Sequence, residues 1–266
     1  MKQAQWFSHF ETGIFAALDQ KRDEWIASGK KVYNLSIGTP DFQPAPHIME
    51  AMTEACKKPE NYVYALKDMN ETLAAVKDYY KKRFGVEVTT DEITSVHGSQ
   101  EGIGHIGMAL TSPGDYAILP NPGYPIFEAG AYLGGAQLYF YPLKKENGFL
   151  PVFEEIPEEI ARKTKFMILS YPYNPVCAVA NDEVYEKAIA FAKKYDIIII
   201  HDNAYSDIIY DGKKGKSFLS YEGAKEVGIE FFSLSKSFNV TGLRISFAVG
   251  NREVIDAIKL LRSQID

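Results

Sequence analysis

The chain has 266 residues, 46% hydrophobic and 24% charged, an ordinary globular balance that excludes a disordered or fibrous chain. Its 29 Lys and Arg against 35 Asp and Glu leave a net charge of −6 with no basic run, a poor match for nucleic acid or an anionic membrane. Two distant cysteines, Cys56 and Cys177, exclude a disulfide scaffold and fit a reducing compartment.

No apolar stretch approaches the ~20 residues of a membrane-spanning helix. The opening Met-Lys-Gln-Ala-Gln-Trp is no signal peptide either, so a cytoplasmic protein is expected. Glu11 to Ser28 reads as one helix, followed by Val32 to Ile37 and a Gly-Thr-Pro-Asp turn at 38 to 41. Residues 1–40 are therefore taken as an N-terminal arm or a piece of a small domain, and 41–266 as a large domain. Short, nearly continuous apolar runs then recur: Ile93 to Val96, Tyr116 to Leu119, Gln137 to Tyr141, Phe166 to Leu169, Ile197 to Ile200, Ile229 to Ser233 and Arg244 to Val249. Runs of that kind are strands buried on both faces. Between them lie helical patterns at Asn70 to Phe84, Glu101 to Leu110, Pro125 to Leu133 and Asp182 to Tyr195, and Asn251 to Ser263 is a helix in full swing near the end. This alternation predicts an α/β fold with a mostly parallel central sheet flanked by helices. Ligands of such sheets bind beyond the carboxyl ends of the strands.

One motif misleads. Gly102-Ile103-Gly104-His105-Ile106-Gly107 matches G-x-G-x-x-G. A dinucleotide site needs those glycines in the strand-to-helix turn, and an acid ending the next strand. Here they fall inside a helix, and the next strand runs into Leu119-Pro120-Asn121. Small residues for close helix packing are the better reading. The five histidines have no metal spacing, so no metal is assigned.

The other strand ends carry chemistry. Gly98-Ser99-Gln100-Glu101 opens a helix, where free amides and a hydroxyl suit a phosphate. Further along come Gly123-Tyr124-Pro125, Tyr173-Asn174-Pro175, His201-Asp202-Asn203-Ala204-Tyr205, and Ser233-Leu234-Ser235-Lys236 with Arg244 eight residues on. Each alone has a bland reading as turn, cap or surface lysine. As an ordered set they resemble the class I/II aminotransferases, the fold-type I enzymes that use pyridoxal 5′-phosphate. The resemblance runs from about Asn34 to the last residue and is closest to the aspartate, aromatic and LL-diaminopimelate branch.

The resemblance implies a role for each residue. Lys236 bonds the cofactor aldehyde and later carries the proton. Asp202 faces the pyridine nitrogen, while Asn174 and Tyr205 serve the ring oxygen. Tyr124 covers the ring; Ser99, Gln100, Ser233 and Arg244 hold the phosphate. Tyr64 is expected to reach the phosphate of a neighbouring subunit in a homodimer, and Gly38 to lie against the substrate carboxylate.

Four departures stand out. Asn174-Pro175-Val176-Cys177 replaces the usual Asn-Pro-Thr-Gly, which suggests an altered turn around a small buried thiol. Ser246 and Met69 stand where glycines are common. Nothing matches the arginine that clamps a substrate carboxylate, which implies an absent C-terminal small domain. The expected function is amino-group transfer between an amino acid and a 2-oxo acid. The alternatives are a cysteine-S-conjugate β-lyase, or a catalytically incomplete fragment acting as a binding module.

Overall fold

The structure is a computed structural model that describes residues 2, 4–10 and 13–265. The chain divides into two compact units, Met1–Phe42 and Gln43–Asp266. In the first, α1 spans Ile14–Ala27 and buries none of its side chains. The expected start at Glu11 lies outside the described residues.

The second unit begins with α2 (Pro46–Cys56) and α3 (Asn70–Phe84), and α3 ends on Gly85 at φ 71°. Seven strands follow: β1 (Ile93–Val96), β2 (Tyr116–Asn121), β3 (Gln137–Pro142), β4 (Thr164–Ser170), β5 (Ile198–Asn203), β6 (Gly228–Ser233) and β7 (Ser246–Gly250). Between them lie α4 (Ser99–Leu110), α5 (Pro125–Leu133), the one-turn α6 (Glu158–Ala161) and α7 (Asp182–Tyr195). The one-turn α8 (Ala224–Val227) and α9 (Leu234–Ser237) flank β6, and α10 (Arg252–Ile265) follows β7. Each apolar run read from the sequence lies in one of these strands, within a few residues of its ends. Asn181 caps α7, its side chain accepting from the Val184 amide at 3.1 Å, as an N-cap should.

The strands form one sheet in the order β1-β7-β6-β5-β4-β2-β3. The pairs β2–β3, β2–β4, β4–β5 and β5–β6 are parallel, and β7 is antiparallel to both β1 and β6. The expected mostly parallel α/β sheet is observed. The reversed β7 has a consequence for position. Its entry at Ser246 pairs with Val96 and Ser233, the last residues of β1 and β6. Residues just before β7 therefore share an edge with residues just after the other strands.

Helices cover both faces. One buried cluster joins Val76 and Tyr80 of α3 to Tyr185 and Ala188 of α7 across Ile199 and Phe232. The other joins Ile103 and Ile106 of α4, Phe127 of α5 and Ile258 of α10 across Ile200 and Phe231. Burying apolar surface on both faces, at roughly 25 cal/mol per Å², is why the central strands β4 to β7 lack a polar side. The glycines of the misleading motif sit within α4. A Cβ on Gly102 would lie 2.4 Å from the Phe231 ring, and one on Gly107 would lie 2.2 Å from the Gly130 carbonyl oxygen. They permit close packing of α4 on the sheet and on α5. Among the described residues, no helix is long and apolar enough to cross a membrane.

Candidate active site

Asp202 sits near the end of β5 with 9% of its surface exposed. Its Oδ1 is buried and has no hydrogen-bond partner. Burial pushes the carboxyl up to about 6, with neighbouring His201 opposing the shift and Glu230 adding to it. A buried acceptor without a donor costs roughly 1–3 kcal/mol or more, so this oxygen is suited to a donor brought by a ligand.

Three phenols surround that carboxylate. Burial first, and then the Asp202 charge, raise the pKa of Tyr124, Tyr173 and Tyr205, the last to about 12. Tyr205 therefore stays protonated at neutral pH and can donate. Its hydroxyl lies 3.5 Å from Asn174 Nδ2. Tyr124 caps the N-terminus of α5, stands edge-on to Phe127 at 6.1 Å, and donates to Gln100 Oε1 at 3.3 Å. Tyr173, to which the sequence assigned no role, is 2% exposed and donates to the Pro122 carbonyl at 2.5 Å. That bond ties the Asn174 turn to the turn carrying Tyr124.

Lys236 is the third residue of α9 and is half-buried. Burial first, and then the Arg244 charge, lower the pKa of its ammonium. Ser233 caps this single turn, its Oγ accepting from the Ser235 amide at 3.1 Å. Arg244 adopts φ 55° and donates from Nη1 to the Thr241 carbonyl at 3.2 Å. Its guanidinium lies against Gly98, where a Cβ would come within 2.1 Å of Nη2. Gly98 has φ 84° and opens α4, whose first residues are Ser99 and Gln100. Only a residue without a side chain brings the helix start and the guanidinium this close. Ser99 Oγ lies 3.4 Å from Ser246 Oγ, so the serine at the departing position adjoins the expected phosphate group.

These contacts bring Ser99, Gln100, Tyr124, Asn174, Asp202, Tyr205, Lys236 and Arg244 to one edge, with Ser233 shaping the turn. Two further expected residues lie on other segments of the chain. Tyr64 is 93% exposed, between α2 and α3. Gly38 belongs to the first unit, and a Cβ on it would meet nothing within 4 Å. The expectation for Cys177 needs correction. Its backbone takes φ 58°, a left-handed conformation that glycine adopts freely, and its thiol is exposed. A cysteine therefore bears the strain of a glycine turn without being buried.

The family profile for aminotransferase class I and II matches residues 30–265. The chain belongs to the class I and II aminotransferases. This family is dependent on pyridoxal phosphate, and its substrates are amino acids and 2-oxo acids. An LL-diaminopimelate aminotransferase of Syntrophobacter fumaroxidans is 41% identical, over 95% of this chain and 66% of the relative. One of Halothermothrix orenii is 43% identical, over 100% of this chain and 69% of the relative. Among solved structures, apo-BacF of Bacillus subtilis superimposes with a TM-score of 0.94 at 38% identity, covering 100% of this chain and 68% of that one. The chain thus spans about two thirds of the length of the aminotransferases it matches.

The residues present fit the family's cofactor. The unpartnered Asp202 oxygen suits a cationic ring nitrogen. The α4 start with Arg244 packed on Gly98 suits a dianionic phosphate. The donor pair Asn174 and Tyr205 suits a phenolate.

Proposed function

We propose that the protein transfers an amino group between an amino acid and a 2-oxo acid, with pyridoxal phosphate held at this edge by Lys236, Asp202, Tyr205, Asn174, Tyr124, Ser99, Gln100, Ser233 and Arg244. The buried, unpartnered Oδ1 of Asp202 is the observation that carries the reading. Residues 41–266 form the cofactor-binding domain in this reading, residues 1–40 an arm whose Gly38 meets the substrate carboxylate, and the enzyme works in the cytoplasm. The names of the relatives favour transfer over elimination, and they make LL-diaminopimelate the first amino donor to assay.

When bound, pyridoxal phosphate supplies an aldehyde that accepts amines and a ring that draws electrons from the attached carbon. The protein's share is electrostatic. Burial and Arg244 bias Lys236 toward the neutral amine, the form that can attack a carbonyl carbon and take up a proton. Asp202, raised to about 6 without a cation, becomes a firm carboxylate once a cationic N–H meets Oδ1, and so keeps that nitrogen protonated. Tyr205 and Asn174 would donate to the ring oxygen, Tyr124 would exclude water from one side, and Arg244 with the α4 amides would offset the phosphate charge.

Borohydride reduction followed by peptide mapping tests the reading. The pyridoxyl mass is expected on Lys236, and finding it on another lysine overturns the assignment. The exposed Tyr64 supports a homodimer in which it completes the partner's site, since a two-fold interface presents the same patch from both subunits. Mixing inactive Tyr64→Ala and Lys236→Ala proteins under subunit exchange should restore activity in one site of each mixed dimer. No recovery would assign Tyr64 to its own subunit.

A further inference from the structure

Lys236 sits in a helix of four residues, Leu234–Ser237. A single turn cannot support itself, because nucleating a helix fixes several dihedrals for one hydrogen bond. Its aim therefore depends on what holds its two ends. The N-terminal end is capped by the Ser233 hydroxyl. At the other end, Ser237 Oγ donates to Asp207 Oδ2 at 2.6 Å.

Asp207 stands two residues past Tyr205, so this bond joins the lysine's helix directly to the loop of the tyrosine. The carboxylate is itself held from α3. Arg83 Nε donates to Asp207 Oδ1 at 2.9 Å, and the Tyr79 hydroxyl donates to Oδ2 at 3.3 Å. The other nitrogens of Arg83 donate to the Gly215 and Ser206 carbonyls, each at 3.2 Å. One planar guanidinium thus fastens both the beginning and the far side of the Tyr205 loop. The Arg83 and Asp207 side chains are only 23% and 28% exposed, so solvent screens this pair less than an open surface bridge.

We propose that Asp207 is a positioning residue which, braced by Arg83 and bonded to Ser237, sets the distance between the Lys236 amine and the Tyr205 hydroxyl. The inference rests on the reading that both groups meet the same cofactor. Loss of the link leaves every cofactor contact chemically present but lets the one-turn helix swing, and small misplacements at a reacting centre are costly.

The test uses cofactor-loaded protein and three variants. Ser237→Ala removes the hydroxyl and no charge, Ser237→Thr keeps the hydroxyl, and Asp207→Ala removes the acceptor. The readouts are the pH midpoint of the cofactor's absorbance, the thermal midpoint, and the borohydride map. Ser237→Ala should shift the absorbance midpoint by about half a unit to one unit, and Ser237→Thr should return it to the wild-type value. Asp207→Ala should shift it at least as far. Because Ser237→Ala leaves Arg244, Asp202 and Lys236 intact, its shift reports geometry rather than lost charge. An unchanged absorbance midpoint with only a lower thermal midpoint would make the link merely structural and overturn the proposal, as would a threonine variant no better than alanine. If wild-type protein carries the label on another lysine, the functional reading falls as well. A label on Lys236 with indifferent variants defeats this inference alone.

Discussion

Two carboxylates are buried one strand apart, and the protein treats them in opposite ways. Glu230 on β6 is fully buried and receives four donors: the Tyr80 and Ser217 hydroxyls on Oε1, and the Phe218 amide and His201 Nδ1 on Oε2, all at 2.9 Å. His201 continues the network to the Tyr185 hydroxyl at 3.3 Å. Asp202, the next residue along β5, projects to the other face and keeps Oδ1 bare. Neighbouring residues of a strand point to opposite sides, so a single dipeptide, His201-Asp202, serves a closed network behind the sheet and an open acceptor at its edge. A saturated buried charge belongs to the fold, and an unsaturated one awaits a ligand.

The largest effect should come from breaking the closed side. Glu230→Ala strands two hydroxyls, an amide and an imidazole, and removing one member of a buried charged network costs about 3–5 kcal/mol. Urea denaturation should show a loss of that order with cofactor absent. A loss below about 1 kcal/mol would mean that water replaces the carboxylate and that the network is not closed.

The contrast was only half legible in the sequence. The β-branched and aromatic runs located the seven strands, because burial on both faces of most of them leaves few polar residues to blur them. The reversed direction of β7 was not legible, since Arg244 to Val249 looks like any other buried strand; pairing and not composition sets its direction. Asp202, Lys236 and Asn174 stood out because their chemistry is local to short motifs. The role of His201 is not local to any motif, as its partner Glu230 is 29 residues away and meets it only through the β5–β6 register. Asp207 and Ser237, 30 residues apart, were hidden for the same reason. Tyr173 was read as part of a turn because a hydroxyl's target cannot be seen from its neighbours.

The open side predicts a pH dependence of definite sign. The folded-state value of Asp202, about 6, lies above its ordinary 3.8, so the folded protein binds the extra proton. The stability this contributes is complete below the ordinary value and is lost as pH rises through about 6. Integrated over that window, the loss is about 3 kcal/mol in cofactor-free protein. Asp202→Asn should flatten the profile, and turnover should fall by several powers of ten, each ~1.4 kcal/mol being tenfold. Bound cofactor should shrink the wild-type loss, because a cationic donor at Oδ1 favours the ionised form. A cofactor-free profile without that slope would contradict the burial of an unpartnered acid.

A smaller effect is expected where the edge is built from backbone. Gly98 combines φ 84° with a Cβ position 2.1 Å from Arg244 Nη2. Gly98→Ala should cost about 1–3 kcal/mol of strain and push the guanidinium aside. Affinity for pyridoxal phosphate should then fall more than affinity for unphosphorylated pyridoxal, measured by titration of the cofactor-free protein. Equal losses for the two ligands would separate Arg244 from the phosphate.

The smallest effect sharpens the comparison at its most delicate point. The Tyr124 hydroxyl sits near the open carboxylate but already has a partner, Gln100 Oε1 at 3.3 Å, whereas the ring packs edge-on to Phe127. If the ring is what matters, Tyr124→Phe removes one long hydrogen bond and should weaken cofactor binding by only about 0.5–1 kcal/mol. Gln100 is exposed, so water can take over its acceptor, which keeps the cost low. Tyr124→Ala removes the ring as well and should cost more, by the lost aromatic contact of about 0.5–1.5 kcal/mol together with the apolar surface it covers. The two variants are compared by the cofactor's dissociation constant at a pH above 6, where Asp202 is ionised. A phenylalanine variant as weak as the alanine variant would show that the hydroxyl, not the ring, holds this side of the site. The partnered-versus-unpartnered distinction drawn between Glu230 and Asp202 would then not extend to the phenols around them.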